Sequence, residues 1–269
     1  MRLMAIFAHP DDESVCAGTL AKAAEAGHEV WLVCATRGEE GEIVDPAIDA
    51  DSFPKGAERG KLREGELKTA CAALAINPPI FLNHDDSGFP IEVGLNNPKA
   101  FMNQDPAVIE RQLLDLFAEH RPDVVITFDP HGMYGHIDHL TIHRAATRAF
   151  WSAGGVMQPA PRILYYPVWT IEQVRRAIAS RPGSSTTVRL VPEIEGVSED
   201  SVAVVVDVRA QAAKKLESMV AHSSQFGPRD RVVANVDSNP FRRDTELFAV
   251  GGLRGRFAGG KLDDIFMGL

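Results

Sequence analysis

Cysteine is scarce in this chain. The three present, Cys16, Cys34 and Cys71, are an odd number with no C-x-x-C spacing. No redox pair or thiolate zinc motif can be read from them, and three small core side chains in a reducing compartment are expected. No apolar run approaches the ~18 residues a membrane helix needs, so no membrane partner is expected. Met1–Ala8 is apolar but runs straight into His9-Pro10-Asp11-Asp12-Glu13. That is no signal-peptide cleavage site, and a cytoplasmic protein is expected. Basic residues are few: 28 Lys and Arg stand against 37 Asp and Glu, a formal net charge of −9. Clustered cations are what neutralise phosphates, so nucleic acid is not an expected partner. A G-x-G-x-x-G after the first apolar run is also missing, and a nucleotide-binding reading fails with it.

What is present fits an ordinary globular chain. A length of 269 residues suits one large α/β domain, or one domain with a small subdomain. Residues 3–8 read as a buried strand, followed by a helix from about Ser14 to Ala26 that Gly27 closes. A second strand spans 29–35, and a polar loop runs from Thr36 to about Gly60. Loops of that length usually carry function. A helix over 58–75 places Leu62, Leu67, Ala70, Cys71 and Leu74 on one face. A short strand at 80–82, a second long loop over 83–105, a helix over 106–120, a strand at 124–128 and a helix over 137–153 follow. The second half is less regular, with strands at 163–166 and 202–206, a helix over 207–222 and a loose tail after Gly251. Strands alternating with helices imply a Rossmann-like, mostly parallel sheet with helices on both faces, plus a less regular C-terminal portion. The expected division is a catalytic core over 1–155 and a portion over 156–269 that completes the sheet and pocket, one domain overall. A homo-oligomer is compatible with these features.

Ligands of such sheets bind beyond the carboxyl ends of the strands. Two segments fall there: Ala8-His9-Pro10-Asp11-Asp12-Glu13 after the first strand, and Asp129–His139 after the strand ending at Phe128. Pro10 keeps His9 extended, so the chain turns and His9 can converge with Asp12. One more imidazole from the second segment would make three ligands and leave a position for water, the pattern of catalytic zinc. Asp11 would remain free as a base. The competing reading is structural. Asp11, Asp12 and Ser14 are favoured helix caps, and His136 and His139 lie one turn apart, as on a solvated helix face. Two His- and Asp-rich turns at strand ends weigh toward a site, because such clusters are costly without a metal or substrate to balance them.

These residues resemble a known family, the LmbE-like, PIG-L-type zinc-dependent N-acetylglucosaminyl deacetylases. The resemblance rests on Ala8–Glu13 and His136-x-Asp138-His139. Arg37–Glu42, Arg63-x-x-Glu66-Leu67, Asp86-Ser87-Gly88 and Ala221–Gln225 add to it. It is strong over residues 3–155 and thin over 200–226. Residues 129–143 are most similar to the branch acting on N-acetylglucosaminyl-inositol in low-molecular-weight thiol biosynthesis. A relative acting on the malate glycoside, or a thiol-conjugate amidase, fits nearly as well. The resemblance implies Zn²⁺, with Fe²⁺ as an alternative, on His9, Asp12 and His139, and Asp11 as general base. It implies that His136 stabilises the oxyanion or protonates the leaving group, with Asp138 orienting it and Tyr134 near the carbonyl. It also implies that Glu42, Arg63 and Asp86 contact an amino-sugar substrate. The chain departs from that branch at Met133, where Gly is usual, and at Asn83-His84-Asp85. His143 is expected to support the site and His222 to be the strongest further candidate for lining it, while His28 and His120 are expected at the solvent. A non-haem iron oxygenase, which also uses two His and a carboxylate, is the rival enzyme. A sugar-binding module without catalysis is the rival non-enzyme.

Overall fold

The computed structural model describes residues 1–179, 190–238, 244–256 and 259–267. Its strands are β1 (Arg2–Phe7), β2 (Glu29–Cys34), β3 (Ile80–Phe81), β4 (Val124–Thr127), β5 (Ile163–Pro167), β6 (Trp169–Thr170), β7 (Gly196–Val197), β8 (Val204–Asp207) and β9 (Thr245–Leu253). The main helices are α1 (Ala17–Glu25), α2 (Ala57–Leu74), α3 (Pro106–His120), α4 (Ile137–Val156), α5 (Ile171–Ala179), α6 (Ala212–Ala221) and α7 (Arg229–Ser238).

Leu3 to Phe7 of β1 are all buried. An unbroken apolar strand of this kind belongs inside a parallel sheet covered on both faces. Seven strands form that sheet in the order β3-β2-β1-β4-β5-β9-β8. β1 pairs in parallel with both β2 and β4, with Leu3 opposite Val30 and Val124. The chain leaves β1 toward β2 and β3, then returns past β1 to β4. Right-handed crossovers place helices on opposite faces when the direction of travel reverses. Accordingly α1, α2 and α6 pack together, and α3 packs on α4. The reversal opens a crevice at the carboxyl ends of β1 and β4, where both His- and Asp-rich turns emerge.

Several elements differ from the sequence reading. The helix expected from Ser14 starts at Ala17, after a 3-10 turn over Asp12–Val15. The helix expected from 207 starts at Ala212, after another such turn over Arg209–Gln211. The tail is not loose throughout, because β9 runs through Gly251 to Leu253 and pairs antiparallel with both β5 and β8. Gly252 is there for space: a Cβ would come within 2.7 Å of the Phe150 ring. Part of the tail, 257–258 and 268–269, lies outside the described residues. α5 and α7 were not foreseen. Among the described residues no helix is long and apolar enough to cross a membrane.

Candidate active site

The first turn is built on a costly backbone. Asp11 sits at φ 112°, ψ −21°, a region that costs a non-glycine residue roughly 1–3 kcal/mol. Its neighbours hold it there. Glu13 Oε2 accepts the Asp11 N–H at 3.1 Å. Arg63 Nη2 donates to the Pro10 carbonyl at 2.6 Å and lies 3.4 Å from Asp11 Oδ2. Helix capping does not account for these acids. Asp11 makes no side-chain cap bond, and Asp12 Oδ2 accepts from the N–H groups of Ala8 at 3.1 Å and His9 at 2.7 Å. The N-terminus of α1 is capped from β9 instead: Glu246 accepts from Gly18 at 3.0 Å and Thr19 at 2.7 Å.

The second turn relies on Gly132, whose φ is 61°. A Cβ there would lie 2.9 Å from His139 Cβ, and its carbonyl lies 3.1 Å from His139 Nδ1. Met133 also has positive φ, 61° with ψ −70°. That conformation explains why glycine suits the position, and Met133 carries its side chain there at a backbone cost.

The two turns bring three donors together. His9 Nδ1 lies 3.2 Å from His139 Nε2. Asp12 lies 3.3 Å from His139 Nε2 through Oδ1 and 3.5 Å from His9 Nδ1 through Oδ2. The outer nitrogens have their own partners. His9 Nε2 is 3.3 Å from Asp138 Oδ2 and 3.5 Å from Asp86 Oδ1, and His139 Nδ1 is placed to donate to Gly132. With the outer nitrogens donating, the inner ones present lone pairs beside a carboxylate. Outer partners of this kind are what orient histidine ligands. The donor set also carries excess negative charge. Burial pulls the His9 pKa down, yet Asp86, Asp12 and Asp138 overcome it and hold it well above the usual imidazole range. His9, His136 and His139 also converge as a three-donor group, as do His9, Asp86 and Asp138. Two imidazoles and a buried carboxylate with supporting partners fit a divalent cation.

Asp11 stands beside this cluster. Burial pushes its carboxyl up, Arg63 pulls it partly back, and Asp12 pushes it up again, to about 6. His136 Nδ1 accepts the Asp138 N–H at 3.2 Å, so the ring proton belongs on Nε2. Burial, then His9 and His139, push the His136 pKa down to about 3. A neutral ring suits the first of the two roles the resemblance implies, hydrogen-bond donation to an oxyanion. The expectation for Asp138 is corrected. Its carboxylate accepts from the Ser87 N–H at 2.9 Å and from the Ser87 hydroxyl, and faces His9. Asp138 therefore orients His9, and only its backbone touches His136. Tyr134 is 36% exposed, with its ring 5.0 Å from that of His139. Burial and Asp12 raise its phenol pKa, so it stays protonated and able to donate.

The three residues expected at the substrate sit differently. Glu42 has a side chain 77% exposed and pairs with Lys55 at 2.7 Å. Arg63 is buried, with Nη1 donating to the Gly38 carbonyl at 2.8 Å. A Cβ at Gly38 would collide with its guanidinium, which is the reason for glycine there. Arg63 thus braces the Asp11 turn. Asp86 accepts from the N–H groups of Gly88 at 2.8 Å and Glu40 at 3.2 Å and faces His9.

Sequence reasoning missed Glu13, which is buried and joins Asp11 to His222. His222 Nε2 lies 2.7 Å from Glu13 Oε1, so His222 stands behind the turn. Ser224 donates to Glu66 through its N–H at 2.8 Å and its hydroxyl at 2.6 Å, which ties that segment to α2. A third consecutive acid after Asp11 and Asp12 was the available signal for Glu13. His143 Nδ1 is placed to donate to the Phe128 carbonyl at 2.7 Å, a supporting role. His28 and His120 are half-buried rather than solvent-facing, and His120 packs on Trp31 at 4.2 Å.

The family described as PIG-L, GlcNAc-PI de-N-acetylase, matches residues 4–150. A 1D-myo-inositol 2-acetamido-2-deoxy-alpha-D-glucopyranoside deacetylase of Thermomonospora curvata is 34% identical, covering 100% of this chain and 97% of its own. Among solved structures, the N,N'-diacetylchitobiose deacetylase of Pyrococcus horikoshii is similar with a TM-score of 0.56 and 20% identity, over 93% of this chain and 83% of that one. GalB, the 4-carboxy-2-hydroxymuconate hydratase of Pseudomonas putida, is similar with a TM-score of 0.61 and 18% identity, over 96% and 99%. The two structural likenesses speak for the fold alone.

Proposed function

The chain belongs to the PIG-L family, GlcNAc-PI de-N-acetylase, and on that premise we propose that it is a metal-dependent hydrolase removing the acetyl group from an N-acetylglucosaminyl conjugate. The observation that carries the reading is the placement of Asp11. It is a carboxylate with a raised pKa, next in sequence to Asp12 and directed by Glu13 and Arg63, beside the His9, Asp12 and His139 donors. His9, Asp12 and His139 would hold Zn²⁺, with Fe²⁺ as the alternative. Family membership sets the oxygenase reading aside.

The chemistry supplied by a bound cation is Lewis acidity, which polarises the amide carbonyl and lowers the pKa of a water. Asp11 takes the proton of the attacking water and passes it to the departing nitrogen. His136, as a neutral imidazole with its proton on Nε2, donates to the oxygen on which negative charge develops, and the Tyr134 hydroxyl joins it. Acetate and a free amine leave. Arg63 and Glu13 act on the backbone of the Asp11 turn and set where the base points. Asp86 and Asp138 fix the His9 ring.

The relatives' names suggest an inositol aglycone. The test is a mass-spectrometric assay of metal-loaded protein against a panel of N-acetylglucosaminyl conjugates that includes the inositol glycoside. The reading expects equal amounts of acetate and free amine, abolished by chelator and restored by Zn²⁺ or Fe²⁺. No release from any conjugate would overturn it.

A further inference from the structure

His222 follows directly on α6 and is fully buried. Its Nε2 lies 2.7 Å from Glu13 Oε1. A carboxylate only accepts, so the imidazole donates. The other ring nitrogen, Nδ1, is buried without a hydrogen-bond partner among the described residues. The segment does not depend on this ring for its place. Ser224 donates to Glu66 through its N–H at 2.8 Å and its hydroxyl at 2.6 Å, and its carbonyl accepts the Val44 N–H at 2.8 Å. What the His222 side chain holds is Glu13.

Glu13 in turn holds Asp11. It is 1% exposed, and among the described residues its carboxylate has two donors, His222 and the Asp11 N–H at 3.1 Å. A buried carboxylate that loses one of two donors is driven toward water. Asp11 sits at φ 112°, where a non-glycine residue stays only while its surroundings fix it. Arg63 braces the same turn at the Pro10 carbonyl and is itself anchored on the Gly38 carbonyl. The Glu13 brace has one anchor, His222.

We infer that His222 is a positioning residue for the base: by donating to Glu13 it fixes the carboxylate that holds the Asp11 N–H, and so sets where the Asp11 side chain points. The inference rests on the deacetylase reading, in which Asp11 takes the proton of water, and adds a residue to it. His222 has no surface of its own, so its effect on the reaction passes through Glu13.

Two polar variants of differing reach test this. The amide nitrogen of Gln falls about where imidazole Nε2 does, facing Glu13. That of Asn falls about where Nδ1 does, at the edge without a partner. His222→Gln should keep kcat near the wild-type value. His222→Asn should lower kcat by up to about 100-fold, the cost of misplacing a group by about 1 Å, with metal content and KM held. Wild-type kcat in His222→Asn, or equal losses in the two variants, would overturn the positioning role. The backbone amide resonance of Asp11 in the zinc-loaded protein gives a readout that needs no turnover. It should keep its shift in His222→Gln and move in His222→Asn, because the hydrogen bond to Glu13 changes. If the wild type hydrolyses no conjugate, the activity reading fails while the resonance still decides the brace: an Asp11 signal unmoved in His222→Asn would overturn it.

Discussion

Glu13 accepts the backbone N–H of Asp11 at 3.1 Å through one carboxylate oxygen and faces His222 Nε2 at 2.7 Å through the other. The base is therefore held from behind by a buried pair that does not touch the donor cluster. Burial lowers the His222 pKa, but Glu13 overcomes this and raises it above the ordinary 6.5. A histidine whose folded pKa is raised contributes stability that is fully present below its unfolded pKa and is lost as pH rises through the folded value. The Tm of the wild type should fall between pH 6.5 and that raised value more steeply than the Tm of His222→Gln. Parallel Tm profiles measured from pH 5.5 to 9 would remove the charged pair from the account.

Arg63 makes its polar contacts to Pro10, Gly38 and Asp11. Arg63→Ala should act on the turn rather than on sugar binding. The expected result is a fall in kcat with KM changed less, alongside a stability loss of about 1–3 kcal/mol from buried carbonyls left unpaired. A raised KM at constant kcat in steady-state kinetics would return Arg63 to the substrate.

How much of this was legible in the sequence depends on distance along the chain. The apolar runs of β1, β2 and β4, and the two turns after β1 and β4, could be read locally. So could the convergence of His9 and Asp12 with an imidazole of the second turn, because a parallel sheet brings strand ends together; that the imidazole is His139 came from the family resemblance. What could not be read was the direction of individual side chains. The family resemblance pairs Asp138 with His136, but its carboxylate crosses to Ser87 and His9. β9 was hidden by its glycines, which serve packing against Phe150 and Tyr166. Glu246 caps α1 from a distance of 228 residues in sequence, a relationship no local pattern encodes.

That cap is testable. Glu246→Ala leaves the buried N–H groups of Gly18 and Thr19 without their acceptor and strands Lys215. The expected cost is about 1–3 kcal/mol, or a fall in Tm of about 2–4 °C per kcal/mol. An unchanged Tm by calorimetry would mean that α1 finds another cap.

His136 is a neutral donor in this structure. His136→Ala should keep its metal and lose roughly 10²–10³-fold in kcat, the usual loss for an oxyanion donor. Since its pKa is pushed down to about 3, it is already deprotonated to the neutral ring throughout the working range. The variant should therefore keep any basic limb of the pH–rate profile. Disappearance of that limb would mean that an imidazolium takes part.

The most direct test of the division of labour between the adjacent aspartates is the metal content and kcat of Asp11→Asn, measured on one preparation. The account predicts about one divalent ion per chain, as in the wild type, with kcat reduced roughly 10²–10⁴-fold, the usual worth of general acid–base catalysis. Loss of the metal from Asp11→Asn, or full activity with the metal retained, would contradict it.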